Sequence, residues 1–293
     1  MRRCETHFLQ AGYCRHPEAV TLAGGRLGSI VFPTLVGLLL HPIEGPILFD
    51  TGYDEAFLQA TTPFPERLYR WLTPPTISAE SAVSAQLGRF SLAPDDIRWV
   101  VVSHFHADHI AGLHAFSGAR ILCSRRGLEA ARTGGGARAL LGGVLRRLIP
   151  PDIDGRLVHF EDRPRVALPT AFRPFDEGAD LFGDGALLAV ELPGHCPGHW
   201  GLVSRAEDDG FHFMAADAAW SSRAIRENRP PPGITTAILG RTLPYRETLG
   251  RLHRMVCDAP DVIVTPSHCA ERAGQILANS QSTGQVMQRG CRT

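Results

Sequence analysis

Short apolar runs, separated by turn and polar residues, recur along the whole chain. Residues 30–32 and 35–40, a turn at 42–45 and a second run at 46–49 predict a β-hairpin. Residues 1–28 mix Gly, His and Arg and predict one or two opening strands. Residues 97–102, Ile-Arg-Trp-Val-Val-Val, form an apolar run broken only by Arg98, the pattern of a buried strand. In the second half, residues 157–160, 166–168, 186–192, 200–204, 211–215 and 262–264 alternate or run apolar between turns and predict further strands. Helical patterns fall at 78–90, with Ser78 as N-cap, from His109 to about Phe116, and at 128–132, 137–148 and 245–256. In the last of these, Leu249, Leu252 and Val256 share a face, whereas Arg138, Arg146 and Arg147 mark a solvated face of 137–148. Residues 57–75, rich in Pro and aromatics, predict a surface loop or a lid. No internal boundary splits the chain: residues 1–278 read as one domain, and the polar residues 279–293 as a mobile tail. Two strand-rich halves, each with helices, predict an α/β fold, a four-layer αββα sandwich.

Composition narrows the chemistry. A formal net charge of +0 over 293 residues offers nothing to nucleic acid or another polyanion. The basic residues are all arginine, which removes lysine Schiff-base chemistry and a P-loop lysine. The 7 cysteines are scattered, odd in number and without a C-x-x-C, arguing for a reducing compartment and against a disulfide framework or zinc ribbon. Arg2 and Arg3 are followed by polar residues rather than an apolar stretch, so no signal peptide is expected. Residues 30–40 are too short to span a bilayer. A cytoplasmic protein without a membrane or nucleic-acid partner is the expectation, with a homodimer left open.

The chemistry sits where strands end. The run at 97–102 opens into Ser103-His104-Phe105-His106-Ala107-Asp108-His109. A strand end turning into a loop aims such neighbours into one pocket, and neutral imidazole and carboxylate are ligands that zinc prefers. Three more strands end the same way: at His195 in Pro193-Gly194-His195-Cys196-Pro197-Gly198-His199, at Asp217 and at His268. Alone, Asp217 reads equally as a helix cap and His268 as a turn residue. Together they supply five His and two Asp, enough for two zinc ions or other divalent metals if one Asp bridges. Asp50-Thr51-Gly52, also at a strand end, reads equally as a plain turn. There is no G-x-S-x-G elbow, Walker A loop or G-x-G-x-x-G after a strand.

In this order, Asp50-Thr51-Gly52, the 104–109 cluster, the Pro-Gly-His195 turn, Asp217 and His268 resemble the metal-site motifs of the metallo-β-lactamase superfamily, over nearly the whole chain. Within it the chain looks most like the N-acyl-homoserine lactonases, from Phe49-Asp50-Thr51-Gly52-Tyr53, the full ligand set and the length. The resemblance implies that His104, His106 and His195 hold a first metal, Asp108, His109 and His268 a second, and that Asp217 bridges them. It places Asp50 behind the ligands, orienting them. His199 is assigned a supporting or structural role, and His7, His16, His41, His114, His159, His212 and His253 are taken as surface or core residues. Asp217 speaks against the true zinc β-lactamases, which lack it, and His106 against flavo-diiron proteins, which tend to carry Glu there.

The implied reaction is the opening of a lactone or ester, of quorum-quenching type. Two metals lower the pKa of a shared water to roughly 7, and Asp108 passes the proton to the leaving alkoxide. An uncharged carbonyl substrate suits this uncharged chain, with Phe64, Tyr69 and Trp71 covering an acyl chain or simply packing in the core. The alternatives are thioester hydrolysis of glyoxalase-II type, phosphodiester cleavage, an iron persulfide dioxygenase and a non-catalytic scaffold. Cys196 and Cys269 are each next to a ligand and are expected to point away from it. One departure stands out: homoserine lactonases commonly carry a tyrosine three residues after the bridging Asp, and here that residue is Trp220. Its indole donates but cannot accept or ionise, and it is expected to narrow the pocket or to pack in the core.

Overall fold

Side chains alternate across a strand, so a strand apolar on both faces belongs inside a layered core. A computed structural model describes residues 2–134, 140, 142–206 and 210–278. Its first sheet joins β1 (Glu5–Pro17), β2 (Ser29–His41), β3 (Gly45–Phe49), β4 (Pro75–Thr76), β5 (Trp99–Val101), β6 (Arg120–Cys123) and β7 (Leu157–His159) in the order β4-β1-β2-β3-β5-β6-β7. The second joins β8 (Arg165–Ala167), β9 (Glu177–Asp180), β10 (Leu187–Glu191), β11 (Trp200–Arg205), β12 (Phe211–Ala216) and β13 (Val262–Pro266) in the order β13-β12-β11-β10-β9-β8. β1 and β2 form a long antiparallel hairpin, Glu5 opposite Leu40, and β3, β5, β6 and β7 follow in parallel. β13 runs parallel to β12.

Neighbouring residues show the layers. Leu39, Ile47, Phe49, Val101 and Leu122 face Leu187, Ala189, Trp200, Leu202 and Met214 between the sheets. The next residues along the same strands, Leu38, Leu48, Val100 and Ile121, join a second core on the outer face of the first sheet. Leu188, Val190, Val203 and Phe213 turn outward from the second sheet onto Leu249, Leu252 and Met255 of the Thr242–Asp258 helix. The result is the expected αββα sandwich. Among the described residues no helix is long and apolar enough to cross a membrane.

Several local expectations are corrected. The expected helix at 78–90 is three pieces: a 3-10 turn at Ala79–Ser81, a helix at Val83–Gln86 and a second 3-10 turn at Leu87–Phe90. Ser81 Oγ takes the Ser78 N–H, and Gln86 Nε2 donates to the carbonyls of Gln10 and Ser81, so side chains replace the helical ladder. The segment 57–75 is largely helical, at Glu55–Ala60, capped by Asp54, and at Arg67–Leu72. β9 was missed because Glu177-Gly178-Ala179-Asp180 has no strand pattern; pairing with β8 and β10 imposes it. The amphipathic helix expected at 137–148 is not found at 142–148, which run as a turn and an extended stretch into a 3-10 turn at Arg146–Leu148; residues 137–139 and 141 lie outside the described residues. The tail expected at 279–293 lies wholly outside them.

Candidate metal centre

Asp50 follows β3 and ties the site together. Its Oδ1 accepts from Ser103 N at 2.8 Å, and its Oδ2 from Ser103 Oγ at 2.7 Å and His109 Nδ1 at 2.8 Å. Asp50 holds a left-handed backbone, φ 64°, as does Ala216 (φ 45°) directly before Asp217. Strain of this kind costs about 1–3 kcal/mol and persists where the surroundings over-determine the backbone. Gly52 explains the third position of Asp50-Thr51-Gly52: φ is +68°, and a Cβ there would lie 2.2 Å from that of Ala11.

The hydrogen bonds fix the tautomers. Ser103 Oγ donates to Asp50, so it accepts from His104 Nδ1 at 2.9 Å, leaving His104 Nε2 as a bare lone pair. His109 gives its Nδ1 proton to Asp50, and His268 gives its own to the Pro33 carbonyl at 2.8 Å. Each of these imidazoles therefore presents Nε2 to a common centre, each braced from behind in the manner of a metal-bound histidine. His199 is different. Its Nδ1 donates to Leu192 O and its Nε2 accepts from Asp217 N, both at 3.0 Å. Both ring nitrogens are committed, and His199 holds the backbone of Asp217 in place.

The side chains converge in two groups. Single ligand atoms of His104, His106, His195 and Cys196 lie within 4.8 Å of one another, as do those of Asp108, His109 and His268, and a third set, His104, His109 and Asp217, joins the two. His106 Nδ1 and His195 Nε2 approach to 3.0 Å. Asp217 spans the two groups. Its Oδ2 is 3.3 Å from His195 Nε2, and its Oδ1 is 3.3 Å from Nε2 of both His109 and His268. Asp108 Oδ2 lies 3.2 Å from His268 Nε2. His104 Nε2 is buried with no hydrogen bond, and the buried His109 Nε2 and Asp217 Oδ1 meet only at 3.3 Å, without good hydrogen-bond geometry. Unpaired buried polar atoms are costly, so their convergence fits a cation better than it fits a core.

Electrostatics separate the groups. Burial, reinforced by the neighbouring imidazoles, pushes His104 well below its ordinary pKa, and burial likewise depresses His195 and takes His106 down to about 4. Burial also opposes charge on His109, but Asp217, Asp50 and Asp108 overcome it and raise His109 to about 10. His268 is raised well above its ordinary value against the same burial, chiefly by Asp217 and Asp108. Burial favours the neutral carboxyl of Asp108, yet His109 and His268 bring it down to about 2.

A cavity of about 500 Å³ opens over the centre, floored by His106, Asp108, His195, Asp217 and His268. Its walls are mostly apolar and include Phe32, Leu68, Leu72, Ile234 and Ile238. Of the three aromatics expected there, Tyr69 lines it. Phe64 and Trp71 do not: they are 71% and 64% exposed, since in the Arg67–Leu72 helix Leu68, Tyr69 and Leu72 face the cavity and Trp71 turns outward. Trp220 also lines it, and its indole N–H donates to Asp217 Oδ2 at 2.7 Å. Cys196 does not point away as expected. In the loop between β10 and β11, closed by Leu192 N donating to His199 O, both His195 and Cys196 bring a ligand atom to the cluster. Cys269 Sγ instead sits 3.2 Å from both N and Oγ of Ser222. His16, taken as a surface or core histidine, is on the cavity wall, and no feature of the sequence marks it.

An N-acyl homoserine lactonase from Bacillus cereus is 24% identical over 234 residues, 79% of this chain and 82% of the relative. The lactonase AttM of Azorhizobium caulinodans is 29% identical over 164 residues, 56% of this chain and 57% of its own. Among solved structures, an N-acyl homoserine lactone hydrolase with the product N-hexanoyl-L-homoserine at its catalytic metal centre superposes with TM-score 0.70 at 21% identity, covering 94% of this chain and 97% of that one. AidC, a dizinc quorum-quenching lactonase, does so with TM-score 0.59 at 16% identity, covering 91% and 88%. Residues 30–252 match the metallo-beta-lactamase superfamily, and with that match the chain belongs to that superfamily.

Proposed function

We propose that the protein is a dinuclear metal-dependent hydrolase that opens N-acyl homoserine lactones or closely related lactones and esters. The observation that carries this reading is the Asp217 carboxylate, reaching 3.3 Å contacts in both ligand groups on the floor of an apolar cavity. His104, His106 and His195 would hold one ion, Asp108, His109 and His268 the other, and Asp217 both. The all-nitrogen-and-oxygen donor set suits two zinc ions, and one structural neighbour is described as dizinc. Ions bound there supply the activated water and the Lewis acid that ester hydrolysis needs.

The rest falls to the protein's own groups. Asp50, Ser103 and the Pro33 carbonyl fix which nitrogen His104, His109 and His268 offer. His199 and Trp220 hold Asp217 by its backbone and by Oδ2. Asp108 faces the cavity, where its carboxylate can carry a proton to the departing alkoxide. The apolar walls take the acyl chain and exclude water. Lactonases among the sequence relatives support the choice of substrate. The test is a hydrolysis screen of lactones, thioesters, phosphodiesters and β-lactams on protein of measured metal content. Two zinc equivalents with lactones turned over fastest is the expected result; a single iron, or faster thioester or phosphodiester cleavage, would overturn it.

A further inference from the structure

A substrate carbonyl entering this cavity needs a hydrogen-bond donor, and most polar groups on the wall are already engaged. Thr21 donates to Glu18 O at 3.1 Å and Thr235 to Val20 O at 2.9 Å. The Trp220 N–H is held by Asp217. The Tyr69 hydroxyl has no hydrogen-bond partner among the described residues, although the ring lines the cavity and is braced edge-on by Phe57 at 5.5 Å. It shares a notch with the metal site. A side-chain Cβ at Gly143 would lie 3.6 Å from the Tyr69 hydroxyl and 3.4 Å from the His106 ring. Gly143 has φ +78°, and its carbonyl accepts from Ala107 N at 2.9 Å, which pins this gap beside the 104–109 cluster. Glycine keeps the notch open both by its backbone conformation and by its missing side chain.

We infer that the Tyr69 hydroxyl is the donor that meets the ring carbonyl oxygen of the substrate beside His106, a task the committed indole of Trp220 does not perform. Burial, followed by the negative charges of Asp108 and Asp217, keeps the phenol protonated and therefore able to donate. The inference rests on the lactonase reading above. It differs from the sequence expectation, in which Tyr69 only covered an acyl chain. A donor that meets developing negative charge is felt more in the transition state than in binding.

The test compares wild type with Tyr69→Phe, which keeps the ring and its packing on Phe57. Metal content and melting temperature serve as controls and should not change. With an N-hexanoyl homoserine lactone, kcat should fall about 10- to 100-fold with a smaller change in KM. The lactam analogue, which resists hydrolysis, should bind more weakly to the variant. If the wild type turns over the lactone and binds the lactam, and Tyr69→Phe matches it in both, Tyr69 is not the donor while the lactonase reading stands. If the wild type does neither, that reading fails and takes this assignment with it.

Discussion

The two halves of the candidate centre are built from similar residues and behave differently. His104, His106 and His195 pack edge-on against one another, with ring centroids 4.5–4.9 Å apart, and burial holds them neutral. Asp108, His109 and His268 form a charge-balanced cluster, in which carboxylates lift the imidazoles. Without ions, the first half is a set of neutral imidazoles, with His104 Nε2 open and His106 Nδ1 sharing a proton with His195 Nε2 at 3.0 Å, and the second a set of ion pairs. A cation entering the first half expels no net protons; one entering the second must expel them. The halves share Asp217, so the sharpest way to break the comparison is to remove its bridging charge. Asp217→Asn should lower metal retention below two equivalents and reduce turnover by orders of magnitude. A variant that keeps two metals and the wild-type rate would show that the halves are not joined there.

How much of this was legible in the sequence follows the same division. The candidate ligands could be read because several stand at or just past the end of an apolar run, and strand ends put neighbours in one place. His104, His195, Asp217 and His268 are of this kind. The partners that select their tautomers could not be read. The Pro33 carbonyl bracing His268 is 235 residues away in sequence, and a main-chain atom leaves no residue signature. The layers were legible from two strand-rich halves, each with helices, though which of Leu38 and Leu39 faces which core was not; nor was β9, because its Glu, Gly and Asp are strand residues only by virtue of their neighbours. Phe64 and Trp71 were misjudged because aromatic content says nothing of which side of a short helix faces the cavity.

Single substitutions in each half sharpen the contrast. His106→Asn and Asp108→Asn should each cost one metal equivalent and leave the other, which metal analysis of the purified variants reads directly. Asp108→Asn should also slow the metal-replete enzyme by about 10²–10⁴-fold, the usual contribution of a proton-transferring group. Loss of both metals from either variant would mean the halves fill together rather than separately.

pH separates the halves in metal-stripped protein. His109, raised to about 10, and His268, also raised, contribute stability that is fully present below the unfolded histidine pKa of about 6.5 and is lost as pH rises toward 10. His106, lowered to about 4, and His104 and His195, also lowered, act oppositely: below about 6.5 the unfolded chain takes up protons that the folded chain refuses, so stability falls with acid. The melting temperature of the stripped protein should therefore peak near neutral pH. Adding zinc should flatten the alkaline side, because the ions take over the role of the protons. An alkaline limb equally steep with and without zinc would contradict the assignment of the second half.

Trp220 tests the bridge from behind. Trp220→Phe removes the 2.7 Å hydrogen bond to Asp217 Oδ2 and keeps most of the ring that stands edge-on to His195. Loss of a partner behind a ligand typically costs about 10–100-fold in metal affinity or activity. Zinc affinity, measured by competition with a chelator, should fall within that range, and equal affinities would place Trp220 in packing alone.

The smallest effect is expected at the cysteines. Cys196 is the awkward case, since its sulfur lies within 4.8 Å of ligand atoms of His104, His106 and His195. Its thiol is pushed well above the usual range, first by burial and then by the negative charge of Asp217, so it is held as a neutral thiol. In the proposed centre, three imidazoles and one oxygen of Asp217 would supply the four donors that zinc favours, which would leave no place for sulfur. Cys269 is spoken for by Ser222. Replacing both by Ser should leave zinc stoichiometry unchanged. It should also leave unchanged the absorption spectrum of cobalt-substituted protein, where a thiolate ligand would give a strong near-ultraviolet charge-transfer band. Such a band in the wild type, absent from the double variant, would make the first half a sulfur site and remove the contrast between a neutral, all-imidazole half and a carboxylate-rich one.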